Sequence, residues 1–383
     1  MKRLARALVL LPGADIGGAE AHTAALARSL AAAGLDLRFA VAAPLRERFA
    51  ALLGPDLAAG LEAAPIAWDA ARSAEVNAQR QARAAASLIA AARPDAAILP
   101  LPWPTHGLGL QRALAEAGVP VLAIAHLAPF EPEPDGLAAA RAPRAGPAVW
   151  AAVSAPVAAR VEACFGLPSG AVSAVPNGVS VPPEDPRRRA AARAAKRAEA
   201  GVAGRAPLFV FAGRLEPNKG ADLLPAIAER LHAATGGGAV AVLGAAVPGK
   251  PLRGWEGGAA PHPALRPFGR VPGVGDWLLA ADALLMPSRL EGCPLVFLEA
   301  AARRCPVVAT AAAVEAFGDA AHAMAAVSQE GSAAAVADRA LAALAEPAAA
   351  RRRVEAAHRH AAAHDEAAML RQYAGLLRAA AAL

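Results

Sequence analysis

Arg214 and Lys219 stand five residues apart in the run Gly213-Arg214-Leu215-Glu216-Pro217-Asn218-Lys219-Gly220, which leaves an apolar segment and enters an alanine-rich one. Two cations at the end of a strand can both point at one anionic group. Arginine clasps phosphate oxygens through its planar fork, and lysine adds a compact charge. Over a diphosphate, such a pair would stabilise charge on a departing phosphate without a metal. A second run, Ser288-Arg289-Leu290-Glu291-Gly292-Cys293-Pro294-Leu295-Val296-Phe297-Leu298-Glu299, starts a helix with proline at its first position. The N–H groups just beyond Pro294, at Leu295 and Val296, with close approach at Gly292 and Cys293, make an anion site. Glu299 follows about one turn on, roughly 6 Å by helix rise, the reach from a phosphate to a ribose hydroxyl pair. Glu291 precedes the helix, where it could meet hydroxyls of a sugar. A third run, Gly13-Ala14-Asp15-Ile16-Gly17-Gly18-Ala19-Glu20, lets backbone approach a ligand at Gly17 and Gly18 but lacks the dinucleotide fingerprint. His126 ends the apolar segment Val119–Ala125, a position open to a ligand at a sheet edge. The proline-rich segment Pro100–His106 reads equally as a wall of a second substrate site or as a rigid loop.

Alternating elements must position these residues. Strands are expected at Ala7–Leu11, Arg38–Ala42, Ala96–Leu99, Val119–Ala125, Val149–Val153, Leu208–Ala212, Ala239–Leu243, Ala283–Met286 and Val307–Ala309. Helices are expected at Ala19–Ala33, Arg80–Ala92, Ala221–Ala233 and Pro294–Arg303, with Arg351–Leu383 as closing helices. Such alternation means parallel sheets covered by helices on both faces. Pro176–Pro186, with its Asn177-Gly178 turn, divides the chain into halves of similar size. The expected division is 1–178, 179–365 and a final helix over 366–383.

Composition removes several classes. Of 383 residues, 56% are hydrophobic, but much of this is alanine, and no apolar run is long enough to span a bilayer. Met1-Lys2-Arg3 before the short run Ala7–Leu11 leads into a first strand rather than a signal peptide. Three cysteines without Cys-x-x-Cys spacing argue against a disulfide framework or zinc site and fit a reducing cytoplasm. His358, His360 and His364 lack metal-ligand spacing and read as surface residues. Net charge is +6, with the excess past residue 178, partly in Arg187-Arg188-Arg189 with Arg193, Lys196 and Arg197. That run reads as a solvated linker or helix face. At 4% aromatic content the chain lacks the stacking side chains of a nucleic-acid binder. Membrane contact is expected to be peripheral at most.

Gly-Gly-Ala-Glu at 17–20, Pro-Asn-Gly-Val at 176–179, Gly-Arg-Leu…Lys-Gly at 213–220 and the Glu pair 291 and 299 resemble glycosyltransferase family 4, in order and over nearly the whole chain. The resemblance implies a GT-B fold: α/β, with two Rossmann-like doubly wound parallel-sheet domains facing a cleft and a last helix crossing back to the first. It implies retaining transfer from a nucleotide-sugar substrate, with no cofactor or metal, to an acceptor such as a saccharide or lipid-linked saccharide. Arg214 and Lys219 would hold the diphosphate, Glu299 the ribose and Glu291 the sugar. Gly17 and Gly18 would approach the phosphates or sugar, and His126 would lie beside the reacting sugar. Cys293 departs from the family pattern, which bears on donor choice. An epimerase or phosphorylase of the same fold and a non-catalytic nucleotide-sugar-binding protein remain as alternatives.

Overall fold

The computed structural model describes residues 4–131, 148–246, 252, 255 and 262–383; Met1, Lys2 and Arg3 lie outside these. The chain forms two compact units, Met1–Asn177 with Ala367–Leu383, and Gly178–Glu366.

In the first unit the strands are β1 (Arg6–Leu10), β2 (Asp36–Val41), β3 (Leu61–Ala63), β4 (Ala96–Leu101), β5 (Val121–Ala125), β6 (Ala148–Ala152) and β7 (Val172–Ala174). Between them run α1 (Gly18–Ala32), α2 (Arg46–Leu53), α3 (Pro55–Ala58), α4 (Ala74–Ala92), α5 (Leu108–Glu116) and α6 (Ala155–Phe165). All pairs are parallel, in the order β3-β2-β1-β4-β5-β6-β7. Past Arg6 the central strands β1, β4 and β5 are apolar because helices cover both faces. Leu26 and Leu30 of α1 and Phe49 of α2 pack on one face with Phe39. Leu88 and Ile89 of α4 and Leu110 and Leu114 of α5 pack on the other. Strand order reverses between β1 and β4, and the crevice at the carboxyl ends of such a pair is where doubly wound sheets bind ligands.

The second unit repeats the plan. Its strands are β8 (Leu208–Ala212), β9 (Ala239–Leu243), β10 (Leu265–Gly269), β11 (Ala283–Met286), β12 (Val307–Thr310) and β13 (Ala326–Ser328). Its helices are α7 (Pro186–Glu199), α8 (Leu224–Thr235), α9 (Gly275–Ala280), α10 (Leu295–Ala302), α11 (Ala321–Met324), α12 (Ala333–Ala345) and α13 (Pro347–Ala363). The parallel order β10-β9-β8-β11-β12-β13 reverses between β8 and β11. The last helix, α14 (Glu366–Ala381), puts Met369, Tyr373 and Leu377 into the core of the first unit, four residues apart on one face. Tyr373 Oη donates to Val175 O at 3.1 Å.

Four strands escape the sequence pattern, β3, β7, β10 and β13, of which β3, β7 and β13 are three residues long. Each is an edge strand, which needs no long apolar run, and β10 tolerates Pro267 for the same reason. Strand β4 extends through Pro100 because its pairing with β1 stops at Ile98. The basic run is a helix rather than a linker, exposed at Arg187 and Arg188 but anchored further along. Helix α7 is capped by Asp185, whose carboxylate accepts from the N–H groups of Arg187 and Arg188. Arg193 reaches Asp282 at 2.7 Å and Ala280 O at 2.7 Å, and Arg197 reaches Ala206 O at 2.6 Å. The three C-terminal histidines are half-buried rather than on the surface. His360 and His364 stack with centroids 4.0 Å apart, and burial lowers His360 to about 4.

Candidate functional site

Two loops at the strand-order reversal of the second sheet carry most of the expected site. The loop after β8 holds Arg214 and Lys219; the loop after β11 holds Glu291, Gly292, Cys293 and Pro294. Lys219 Nζ lies 2.7 Å from both Glu291 oxygens, and Ser288 Oγ donates to Glu291 Oε1 at 2.8 Å. The Glu291 side chain is only 8% exposed, so this pairing offsets the cost of burying it. Ser288 is held in turn, its carbonyl accepting from Thr310 Oγ1.

The loops are stitched together. Arg289 forms a two-pronged pair with Asp222 at 2.7 and 2.8 Å, and its N–H donates to Asn218 O at 2.8 Å. Gly220 has φ +67°, and a Cβ there would run into the Pro287 carbonyl. Only glycine lets the two loops approach this closely.

Arg214 does not join the Lys219–Glu291 pair; it bridges to Glu216 at 2.8 Å with its side chain 36% exposed. Pro294 is the N-cap of α10, with φ −69° and ψ 112°, not its first helical residue, so Leu295 and Val296 open the helix. Their N–H groups stand where an anion would be received. Glu299 lies further along α10, half-buried, and its carboxylate makes no hydrogen bond among the described residues. Burial raises its pKa, opposed by the charge of Arg303. Such a carboxylate gains by accepting hydrogen bonds from a ligand's hydroxyls.

The first unit carries the rest. Gly17 is the N-cap of α1, but its N–H donates to Glu20 Oε2 at 2.8 Å, and Glu20 is 4% exposed. A carboxylate of the chain thus accepts from the Gly17 N–H at this helix start. Gly18 opens the helix itself. His126 follows β5, is half-buried, and donates its N–H to Leu101 O at 2.9 Å.

His126 has a neighbour that sequence reading missed. The His22 ring stands edge-on to His126 at 4.9 Å and to Tyr373 at 4.8 Å. His22 is 3% exposed, and neither ring nitrogen has a hydrogen-bond partner among the described residues. Burial lowers its pKa to about 4; burial, aided by His22, also lowers that of His126. Both imidazoles are therefore neutral near pH 7. The signal was present: His22 lies on the stripe Ala19, Thr23, Leu26 and Leu30, an apolar face otherwise closed to a polar ring.

A family model described as Glycosyltransferase Family 4 matches residues 16–181, and one described as Glycosyl transferases group 1 matches residues 206–346. Together the two matches place the chain in the glycosyltransferase family 4 type. Both loops at the strand-order reversal of the second sheet fall within the second match. A curated relative, D-inositol 3-phosphate glycosyltransferase from Jonesia denitrificans, is 31% identical over 149 residues. That alignment covers 33% of this chain and 31% of the relative, so the chain matches about a third of the relative's length. HepE from Anabaena, solved with UDP and glucose, superposes with a TM-score of 0.77 at 16% identity, covering 98% of this chain and 100% of that one. Sucrose-phosphate synthase from Thermosynechococcus elongatus gives 0.73 at 18% identity, covering 97% and 98%. These likenesses establish the GT-B fold.

Proposed function

We propose that this protein moves a sugar from a nucleotide-sugar donor to an acceptor hydroxyl, with retention of configuration and without a metal. The observation that carries the reading is the Lys219–Glu291 pair at the strand-order reversal of the second sheet, flanked by Arg214 and the start of α10. On donor binding, Lys219 and Arg214 exchange their carboxylate partners for the diphosphate, and the Leu295 and Val296 N–H groups receive a phosphate oxygen. Glu299 accepts from the ribose, and Glu291, released from Lys219, accepts from hydroxyls of the sugar. The cations and the helix start then stabilise charge developing on the leaving phosphate, which takes up the acceptor's proton. In the first unit, His126 offers a neutral, hydrogen-bonding ring at the carboxyl end of β5. HepE structures with UDP and UDP-glucose support a nucleotide-sugar donor by analogy of fold. The curated relative's name makes D-inositol 3-phosphate the first acceptor to try.

The test is nucleotide release from UDP-, GDP- and ADP-sugars in EDTA, with and without D-inositol 3-phosphate and simple glycosides, the product anomer being read by NMR. Acceptor-dependent release with the donor's anomeric configuration is expected. An altered free sugar nucleotide formed without acceptor would mean an epimerase instead.

A further inference from the structure

Only 4% of residues are aromatic, with five tryptophans, yet two of those tryptophans gather on one side of the first unit. Trp68 and His106 stack with centroids 5.0 Å apart and planes 12° from parallel, and Trp103 lies 6.4 Å from His106. All three rings are half-buried rather than core. They stand past the carboxyl ends of β3 and β4, and the Trp68 N–H donates to Pro12 O, just beyond β1, at 3.2 Å. The group therefore flanks the reversal between β1 and β4, where a doubly wound sheet binds ligands. Leu101, whose carbonyl accepts from His126, is two residues before Trp103.

The platform is held by buried polar side chains. Gln81, 0% exposed, donates to Ile66 O at 2.8 Å and His106 O at 2.7 Å. Asn77, also 0% exposed, donates to Asp69 O at 2.8 Å and accepts from its N–H at 2.9 Å. Arg80 reaches Ala67 O. The carbonyls on either side of Trp68 are thus fixed from α4. Burying two amides is unfavourable unless each is bonded, and here their bonds hold the loops after β3 and β4. Such support fits a preorganised binding surface.

We infer that Trp68, His106 and Trp103 form the platform that receives the acceptor, and that the acceptor presents a saturated polyhydroxylated ring, a pyranose or cyclitol. The apolar C–H face of such a ring packs on aromatic faces, while Asp69 and Arg72, paired at 2.8 Å on the same loop, supply polar partners for its hydroxyls. This rests on the transferase reading above.

The test is saturation-transfer NMR of the protein with methyl α-glucopyranoside, methyl α-mannopyranoside and myo-inositol, alongside thermal shifts with UDP, GDP and ADP. Trp68→Ala and Trp103→Ala should each weaken binding of the responding ring about five- to tenfold, as loss of one aromatic face implies. Trp68→Phe should retain most of it, and nucleotide shifts should be unchanged in all variants. Ring binding that both alanine variants keep in full overturns the proposal. So does nucleotide binding with no response from any ring, which leaves the transferase reading standing. Binding to phosphatidylglycerol vesicles that the alanine variants abolish would assign the surface to a membrane and also overturn it.

Discussion

Lys219 and Glu291 are 72 residues apart in sequence and 2.7 Å apart in space. Their residue types were legible as a cation for phosphate and a carboxylate for hydroxyls; their mutual pairing was not, because it depends on which two strands are neighbours. The pairing changes what a mutation does. Lys219→Ala leaves Glu291 buried without its counter-charge, and we expect a loss of roughly 2 kcal/mol, below the full buried-pair penalty because the lysine is partly exposed. Glu291→Gln should cost less, since the amide keeps the Ser288 hydroxyl as a partner. Urea unfolding of the two variants checks this, and equal stabilities would contradict the pairing. His22 makes a second prediction. It titrates near 4 when folded and near 6.5 when unfolded, so the unfolded chain takes up its proton first as pH falls. Stability is whole above about pH 6.5 and is lost toward pH 4, by at most ~3 kcal/mol from this group. Melting curves from pH 7 to 4.5 should fall less steeply for His22→Phe than for the wild type. Some slope should remain, because His126 and His360 are also lowered by burial. Superimposable profiles would contradict the assignment.

At the scale of elements, the long apolar runs were readable because both faces of a parallel sheet are buried. Leu208–Ala212, Ala239–Leu243 and Ala283–Met286 lie where the pattern puts them. Edge strands such as Val172–Ala174 carry no such pattern and arise from tertiary pairing alone. Helix α4 begins at Ala74, six residues before the expected Arg80, since the polar first turn is recruited by its Ser73 cap and by Asn77. Helix α14 has its apolar stripe spelled out in sequence, but the surface that stripe covers is a tertiary fact. Tyr373→Ala removes a fully buried ring and the bond to Val175 O, so we expect a loss of about 3–5 kcal/mol. Urea unfolding followed by far-UV circular dichroism measures it, and a loss under about 1 kcal/mol would mean α14 contributes little to the first unit.

For the whole molecule, charge is less informative than it looks. The net +6 suggested a basic surface, but α7 spends Arg193 and Arg197 on its own unit's carbonyls and Asp282. Among the described residues no helix is long and apolar enough to cross a membrane. What organises the molecule is the repeated strand order, which sets a crevice at the same place in each unit. We propose that the crevice of the second unit receives a nucleotide. The most direct measurement is the thermal stability of wild type and Lys219→Ala with UDP, GDP and ADP in EDTA, each protein read against its own baseline. At a hundredfold excess over Kd, binding stabilises by about 2.7 kcal/mol. A clear shift with one nucleotide, lost in Lys219→Ala, is the predicted result; no shift with any nucleotide, or one that survives intact in the variant, would contradict the donor site.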